Sequence, residues 1–333
     1  MKIIGWDIGG AHIKAAKIDF KKKSLKTKQI YSPVWKNINN LKKSISYIKK
    51  KLGNCDYHVI TMTAELSDIF HDRKSGVKHI VKISSEVLEN DKVFFYSKKG
   101  ILEKKKTFKE TLNLESMNWH ATASYISNFF SNCILVDIGS TTTDIIPIKN
   151  KKIICKGKND YERLKFNELI YMGVLRTPIT AIKKNENLIN ENFSNLSDVY
   201  RIINKIPKKF DLLPTQDNES KNIHNSARRV ARVFGKDYKK NEFLKWKKIA
   251  YEIENEQINI LKKFVEKIKK KNFLKNVPII GSGIGEFLIK KAFNKKKYFT
   301  YFSVVSYAEK NKDINCESAI SVANVLYCFL KRK

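Results

Sequence analysis

The chain carries one short pattern twice, with its key aspartates at positions 7 and 137. The first copy reads Ile4-Gly5-Trp6-Asp7-Ile8-Gly9-Gly10 and the second Ile134-Leu135-Val136-Asp137-Ile138-Gly139-Ser140. In each, an apolar run ends in Asp-Ile-Gly, small and hydroxylated residues follow, and a second apolar run completes the unit. The copies stay in step through Ile18 and Ile148. This predicts a duplicated β-hairpin with a tight, acidic, glycine-bearing turn.

The residue types suit a polyphosphate. Glycine lets backbone approach phosphate oxygens, and successive N–H groups form an anion-holding hollow. A carboxylate beside phosphates is repelled unless a cation intervenes, so Asp7 and Asp137 are read as holding Mg²⁺ largely through its waters. Either turn alone is compatible with ordinary Asp-Gly hairpin chemistry; the matched pair favours two facing loops on one diphosphate. A third cluster, Gly281-Ser282-Gly283-Ile284-Gly285-Glu286, follows the apolar run Val277 to Ile280 and opens a helix, again suited to an anionic or nucleotide-like ligand. Its late position argues against a dinucleotide fold.

At 333 residues the chain exceeds one ordinary core, so two domains are expected. The formal charge is +33, from 66 Lys and Arg against 33 Asp and Glu. Such an excess ordinarily raises nucleic acid or an anionic membrane as partner. Here it is mostly Lys, spread along the whole length, which reads as solvated surface; neither partner is expected. The cysteines Cys55, Cys133, Cys155, Cys316 and Cys328 lack metal or disulfide spacing and fit a reducing cytoplasm. No leader and no apolar run of bilayer-spanning length is read, and self-association is left open.

Along the chain, residues 2 to 31 read as three strands, 39 to 52 as a helix, and 57 to 62 as a buried strand ending in Thr61-Met62-Thr63-Ala64-Glu65-Leu66. A helix over 77 to 89, a strand over 93 to 96 and a helix opening at Asn118 follow. The second hairpin is expected to add a strand over 152 to 156. A helical insertion spans about 194 to 272, and the chain closes with strand 277 to 281, helix 285 to 293, strand 298 to 305 and helix 315 to 331. The domain boundary is placed near 130, giving a first lobe of 1 to 130 and a second of 131 to 333.

Asp-x-Gly, Asp-x-Gly and Gly-x-Gly in this order resemble the actin, sugar kinase and Hsp70 superfamily. That likeness implies an α/β class: a duplicated, ribonuclease H-like ATPase fold with two lobes around a phosphate-binding cleft. Lys14 resembles the phosphate-contacting lysine of actin's first loop. More specifically, Gly5 to Ala11, Thr61 to Leu66, Asn118-Trp119, Val136 to Pro147 and Gly173-Val174-Leu175-Arg176-Thr177-Pro178 together resemble the hydantoinase/oxoprolinase-like branch linked to tetrahydromethanopterin C1 metabolism. His12 and Ala64 depart from it, standing where a small polar residue and a glycine are expected.

The resemblance implies a transferase of methanofuran biosynthesis. A furanylmethyl diphosphate loses pyrophosphate and the phenol oxygen of γ-glutamyltyramine takes its place, forming an ether. Growing charge on pyrophosphate calls for backbone N–H groups, Lys14 and Mg²⁺, and the phenol benefits from a base. Glu65 and Asp144 are the candidates, Glu65 preferred; its plainer alternative is to cap a short helix. Phosphate or substrate contacts are expected from Gly9, Gly10, Ala11, His12, Thr61, Thr63, Gly139, Ser140, Thr141, Thr142, Gly281, Ser282, Gly283 and Glu286. Arg176 is read either as binding a substrate carboxylate or as an inter-domain pair. The alternatives are an ATP-dependent amidohydrolase of the hydantoinase or oxoprolinase type, a small-molecule kinase, and a nucleotide-binding regulator without turnover; only the first two call for ATP.

Overall fold

The computed structural model describes residues 1–88, 92–103, 107, 111–183, 187–293, 297–305 and 316–332. It divides into two compact units: Met1–Ser131 with Asn150–Ile153 and Tyr301–Lys333, and Asn132–Lys149 with Ile154–Thr300.

The first unit is built on strands β1 (Lys2–Ile8), β2 (His12–Asp19), β3 (Ser24–Tyr31), β4 (Tyr57–Met62), β5 (Val93–Ser97) and β6 (Gly100–Glu103), in the order β3-β2-β1-β4-β5-β6. β1 to β3 are antiparallel, whereas β4 runs parallel to β1. Every residue of β1 after Lys2 is buried. Such a continuous apolar strand requires cover on both faces of the sheet. Helix α1 (Asn39–Leu52) supplies part of it by burying Leu41, Ile45, Ile48 and Leu52, one stripe at helical spacing. Helix α2 (Arg73–Leu88) packs on α1, and α3 (Asn118–Ile126) closes the first run of the unit.

The second unit repeats the plan. Strands β7 (Cys133–Ile138) and β8 (Thr143–Lys149) form its hairpin. The short β9 (Lys152–Ile153) falls with the first unit, while strands β10 (Leu169–Ile170), β11 (Ile279–Ser282) and β12 (Tyr298–Thr300) complete the second sheet, in the order β10-β8-β7-β11-β12. Again the central hairpin strand, β7, has its antiparallel partner on one side and a parallel strand on the other. Helices α4 (Asp160–Lys165), α5 (Leu196–Ile202) and α6 (Ile223–Val233) start at Asn159, Asn195 and Asn222, whose side chains accept backbone N–H groups of the first turn. Helix α7 (Phe243–Asn272), 30 residues long, buries Trp246, Ala250, Ile253, Leu261 and Val265; α8 (Glu286–Phe293) follows β11.

Three expectations need correction. The strand over 298 to 305 stops at Thr300, and Tyr301–Val304 forms a helical turn, α9, because the Tyr301 hydroxyl is buried against Ser321 Oγ at 2.7 Å. The strand over 152 to 156 shortens to two residues. The boundary near 130 holds for the first crossing only: residues from Tyr301 onward belong to the first unit. The cause is α10 (Glu317–Lys331), which packs on β1, β2 and β4 and buries every residue from Glu317 to Asn324. Residue 315, where that helix was expected to begin, and residue 89, where α2 was expected to end, lie outside the described residues. Among the described residues no helix is long and apolar enough to cross a membrane.

Candidate active site

Both hairpins close with the same turn. Gly9 N–H donates to His12 O at 3.0 Å, and Gly139 N–H donates to Thr142 O at 2.9 Å. A Cβ on Gly9 would press within 2.8 Å of the His12 carbonyl, so the first turn closes only around a bare glycine. In both copies a following segment fastens the turn from outside. Val34 N–H reaches Gly10 O at 3.0 Å, while Leu175 and Arg176 N–H reach Ser140 O, the matching position, at 3.0 Å. Gly173 is needed there, because a Cβ would meet Ser140 and the Thr141 nitrogen at 2.5 Å. The backbone of Gly173 to Thr177 is therefore a brace for the second turn. Thr177 Oγ1 and Gln257 Nε2 hold Gly173, at 2.8 and 3.1 Å. The Arg176 side chain is exposed.

In the first unit, Asp7 lies opposite Lys14 across the hairpin and beside Thr61 on β4. The Lys14 ammonium stands 3.9 Å from Asp7 Oδ2, which also accepts a 2.5 Å hydrogen bond from Ser318 Oγ of α10. Asp7 Oδ1 and Thr61 Oγ1 are buried without a hydrogen-bond partner. After β4, Thr63 N–H bonds Ile8 O at 2.9 Å, and its hydroxyl faces Gly9. Ser67 stands beside Gly10. Ala11 O accepts from Ser32 N–H at 2.8 Å, which seats the His12 end of the turn on the strand-three side, where the His12 ring meets Tyr31 edge-on.

Glu65 is almost wholly buried. Its Oε1 accepts from Ser116 N–H at 2.8 Å and Ser116 Oγ at 3.0 Å, while Oε2 is buried without a partner. Burial pushes its carboxyl up to about 7, against the pull of its own backbone N–H and of the Ser116 bonds. It does not cap the helical turn Ala64–Leu66, whose start makes no side-chain capping bond. A helix crosses directly over it, since a Cβ on Gly76 of α2 would fall within 2.9 Å of the Glu65 backbone.

In the second unit, Asp137 lies opposite Asp144 and beside Ser282 on β11. Two carboxylates facing across a hairpin repel. The chain answers with Arg163, 2% exposed, whose guanidinium meets Asp144 Oδ1 at 2.7 Å and donates to Glu168 O at 3.1 Å. Burial still raises the Asp144 carboxyl above its ordinary range, Arg163 opposing. Asp144 is thus committed to an arginine, which weakens it as a candidate base. Ser140 Oγ and Ser282 Oγ are buried without partners, repeating the unsatisfied hydroxyl beside Asp7. Gly285 N–H bonds Ile138 O at 2.9 Å, the counterpart of Thr63 on Ile8. Gly283 adopts φ +85°, and a Cβ there would collide with Asp137 Oδ1 and Ile138 O. Glu286 accepts from the Tyr298 hydroxyl at 3.0 Å. Strand β8 begins only at Thr143, which leaves Thr141 and Thr142 in the turn itself, half-buried, while Thr143 Oγ1 donates to Met172 O at 2.5 Å.

In each unit taken by itself the carboxylate and hydroxyl oxygens beside the aspartate are hard donors, and in the first the orphaned Asp7 Oδ1 is the observation that fits a Mg²⁺ ion. Among the described residues no three His, Cys, Asp or Glu gather as a cage, so such an ion would draw on waters and ligand oxygens. Sequence reasoning missed Ser318, Ser116 and Arg163, which reach the site from distant segments. Two further histidines have partners of their own: His120 Nδ1 shares a 2.7 Å bond with the Tyr96 hydroxyl, and His224 Nδ1 bonds Tyr238.

The family model for hydantoinase/oxoprolinase matches residues 56–308. The (4-{4-[2-(gamma-L-glutamylamino)ethyl]phenoxymethyl}furan-2-yl)methanamine synthase of Methanocaldococcus jannaschii is 33% identical over 97% of this chain and 97% of its own length. Among solved structures, nucleotide-free acetone carboxylase superposes with a TM-score of 0.60 at 10% identity, over 97% of this chain and 70% of that one. A ROK family glucokinase from Streptomyces griseus, in complex with glucose and AMPPNP, superposes with a TM-score of 0.50 at 12% identity, over 98% and 99%. At these identities the structural likenesses speak to the fold, which is the duplicated actin-like type of the sugar kinases.

Proposed function

The chain belongs to the hydantoinase/oxoprolinase family, and from that membership we propose that it is an enzyme, a transferase that joins a furanylmethyl group to a phenol with release of pyrophosphate. The observation that carries the reading is the full-length relationship to a synthase whose name describes an aryl–O–CH₂–furan ether. Building that ether from an aminomethylfuran-methyl diphosphate and the phenol of γ-glutamyltyramine breaks the bond from the methylene carbon to diphosphate oxygen. The phenol oxygen forms the new bond, and its proton leaves to a base.

Each part of that exchange has a candidate in the chain. Departing pyrophosphate gathers negative charge, and preorganised N–H groups and cations stabilise it most where water is excluded. The Gly9 and Gly139 N–H groups close the turns themselves, so the N–H groups of Gly10, Ala11, Ser140 and Thr141 would be the ones offered, and Lys14 would add a cation. Asp7 and Asp137 would hold Mg²⁺, which supplies charge neutralisation to the leaving group. Glu65, with a carboxyl near pH 7 and one oxygen unengaged, suits the base for a phenol of pKa about 10.

The test is direct. Purified chain with Mg²⁺ is incubated with the furan diphosphate and γ-glutamyltyramine, and separately with ATP and cyclic amides, while pyrophosphate, phosphate and product mass are followed. Ether and pyrophosphate without ATP are expected, with Asp137→Asn suppressing turnover while leaving the fold intact. Phosphate release that requires ATP would replace this reading with the amidohydrolase one.

A further inference from the structure

Gly5 stands two residues before Asp7, yet the phosphate turn gives it no task. Its environment does: a Cβ there would collide with the Ala319 carbonyl of α10. The missing side chain lets the first turn of α10 come down onto β1, which brings Ser318, the second residue of that helix, against Asp7. The second copy has Leu135 at the place of Gly5.

The contact settles which way the Asp7 carboxylate faces. Oδ2 is taken by the Ser318 hydroxyl at 2.5 Å and approached by Lys14 at 3.9 Å, so Oδ1 is the oxygen left over, buried and without a hydrogen-bond partner. Leaving a buried carboxylate oxygen unsatisfied costs more than a typical hydrogen bond contributes. A carboxylate turned out of this plane would give up the bond from the Ser318 hydroxyl. The neighbouring Thr61 hydroxyl on β4 is likewise buried and unsatisfied, so two oxygens at adjacent strand positions are left without a protein donor.

We propose that Ser318 is a positioning residue: it locks the Asp7 carboxylate so that Oδ1 is offered to a divalent cation, and Gly5 exists to admit the helix that carries it. This rests on the reading of Asp7 as a cation ligand. Hydrogen bonds to the non-ligating oxygen of a ligating carboxylate fix its orientation, and losing such a partner typically lowers metal affinity by roughly 10- to 100-fold.

The experiment uses full-length protein and Mn²⁺ alone, with binding read from loss of the free-ion EPR signal. Ser318→Ala should weaken Mn²⁺ binding by roughly 10-fold or more with the circular dichroism unchanged, and Ser318→Thr, which keeps the hydroxyl, should restore it. Turnover should show the loss in kcat and in the Mn²⁺ requirement, with KM for the phenol unmoved. If Ser318→Ala does not fold, Ser318→Cys, nearly isosteric with a weaker donor, takes its place and is expected to weaken binding in the same direction. Asp7→Asn separates the two levels. Should it weaken Mn²⁺ binding while the Ser318 variants bind like the parent, the role of Ser318 is overturned and that of Asp7 stands. Should Asp7→Asn itself bind like the parent, the cation reading of Asp7 fails and this inference with it.

Discussion

The hairpins at Asp7 and Asp137 agree in backbone and disagree in charge. Both close through a glycine N–H onto the carbonyl three residues on, and both have a segment bonded to the residue after that glycine. Both also place an unsatisfied hydroxyl, Thr61 or Ser282, on the adjoining parallel strand. Across the hairpin, however, Asp7 faces a partly exposed lysine, whereas Asp137 faces Asp144, which a buried arginine must neutralise. The lesson is that the turn and its hydroxyl are the shared device, while the opposing residue was free to diverge. Lys14 remains a partly exposed cation opposite its aspartate, and Arg163 has become part of the interior.

That contrast is open to attack by mutation. Arg163→Met leaves the half-buried Asp144 without its partner, and since breaking a fully buried pair costs about 3–5 kcal/mol, a loss toward the lower end of that range is expected; urea denaturation should show a large drop in midpoint. A midpoint within error of the parent would mean the arginine is not the support described.

Next in size is the pH response of Glu65. Its carboxyl titrates at about 7 in the fold, raised by burial from 4.5. The native state therefore holds more protons than the unfolded chain across that window. Stability should fall as pH rises from 4.5 to 7 and then level off, by about 3 kcal/mol in full, and Glu65→Gln should flatten the slope. If Glu65 is also the base, kcat/KM should climb through the same range and collapse in the glutamine variant. An unchanged stability profile in Glu65→Gln would assign the titration elsewhere.

The smallest effect is expected from Lys14→Met. A partly exposed pair at 3.9 Å contributes under about 1 kcal/mol, so the melting curve should barely move while the KM for the diphosphate rises. A stability loss comparable with Arg163→Met would erase the distinction between the hairpins.

Much of this was legible in the residues. The duplicated Asp-Ile-Gly motif gave both hairpins, because a short apolar run and a glycine turn are local properties that a few adjacent positions specify. Helix α1 came out at Asn39–Leu52, as its apolar spacing predicts. Where reading failed, the deciding partner was remote: Tyr301 leaves its strand for a hydroxyl on α10, and Glu65 turns from its own helical turn to Ser116.

By itself, then, the chain determined two α/β units, the turns within them and the residues that line each turn. Only the tertiary structure decided that the last helix belongs with the first strand, that Asp144 is spent on Arg163, and that Ser318 orients Asp7. Local propensity acts over one or two turns of chain, whereas the Ser318 to Asp7 bond spans 311 positions. Its only trace beforehand was a glycine whose missing side chain makes sense once a helix is lying on it.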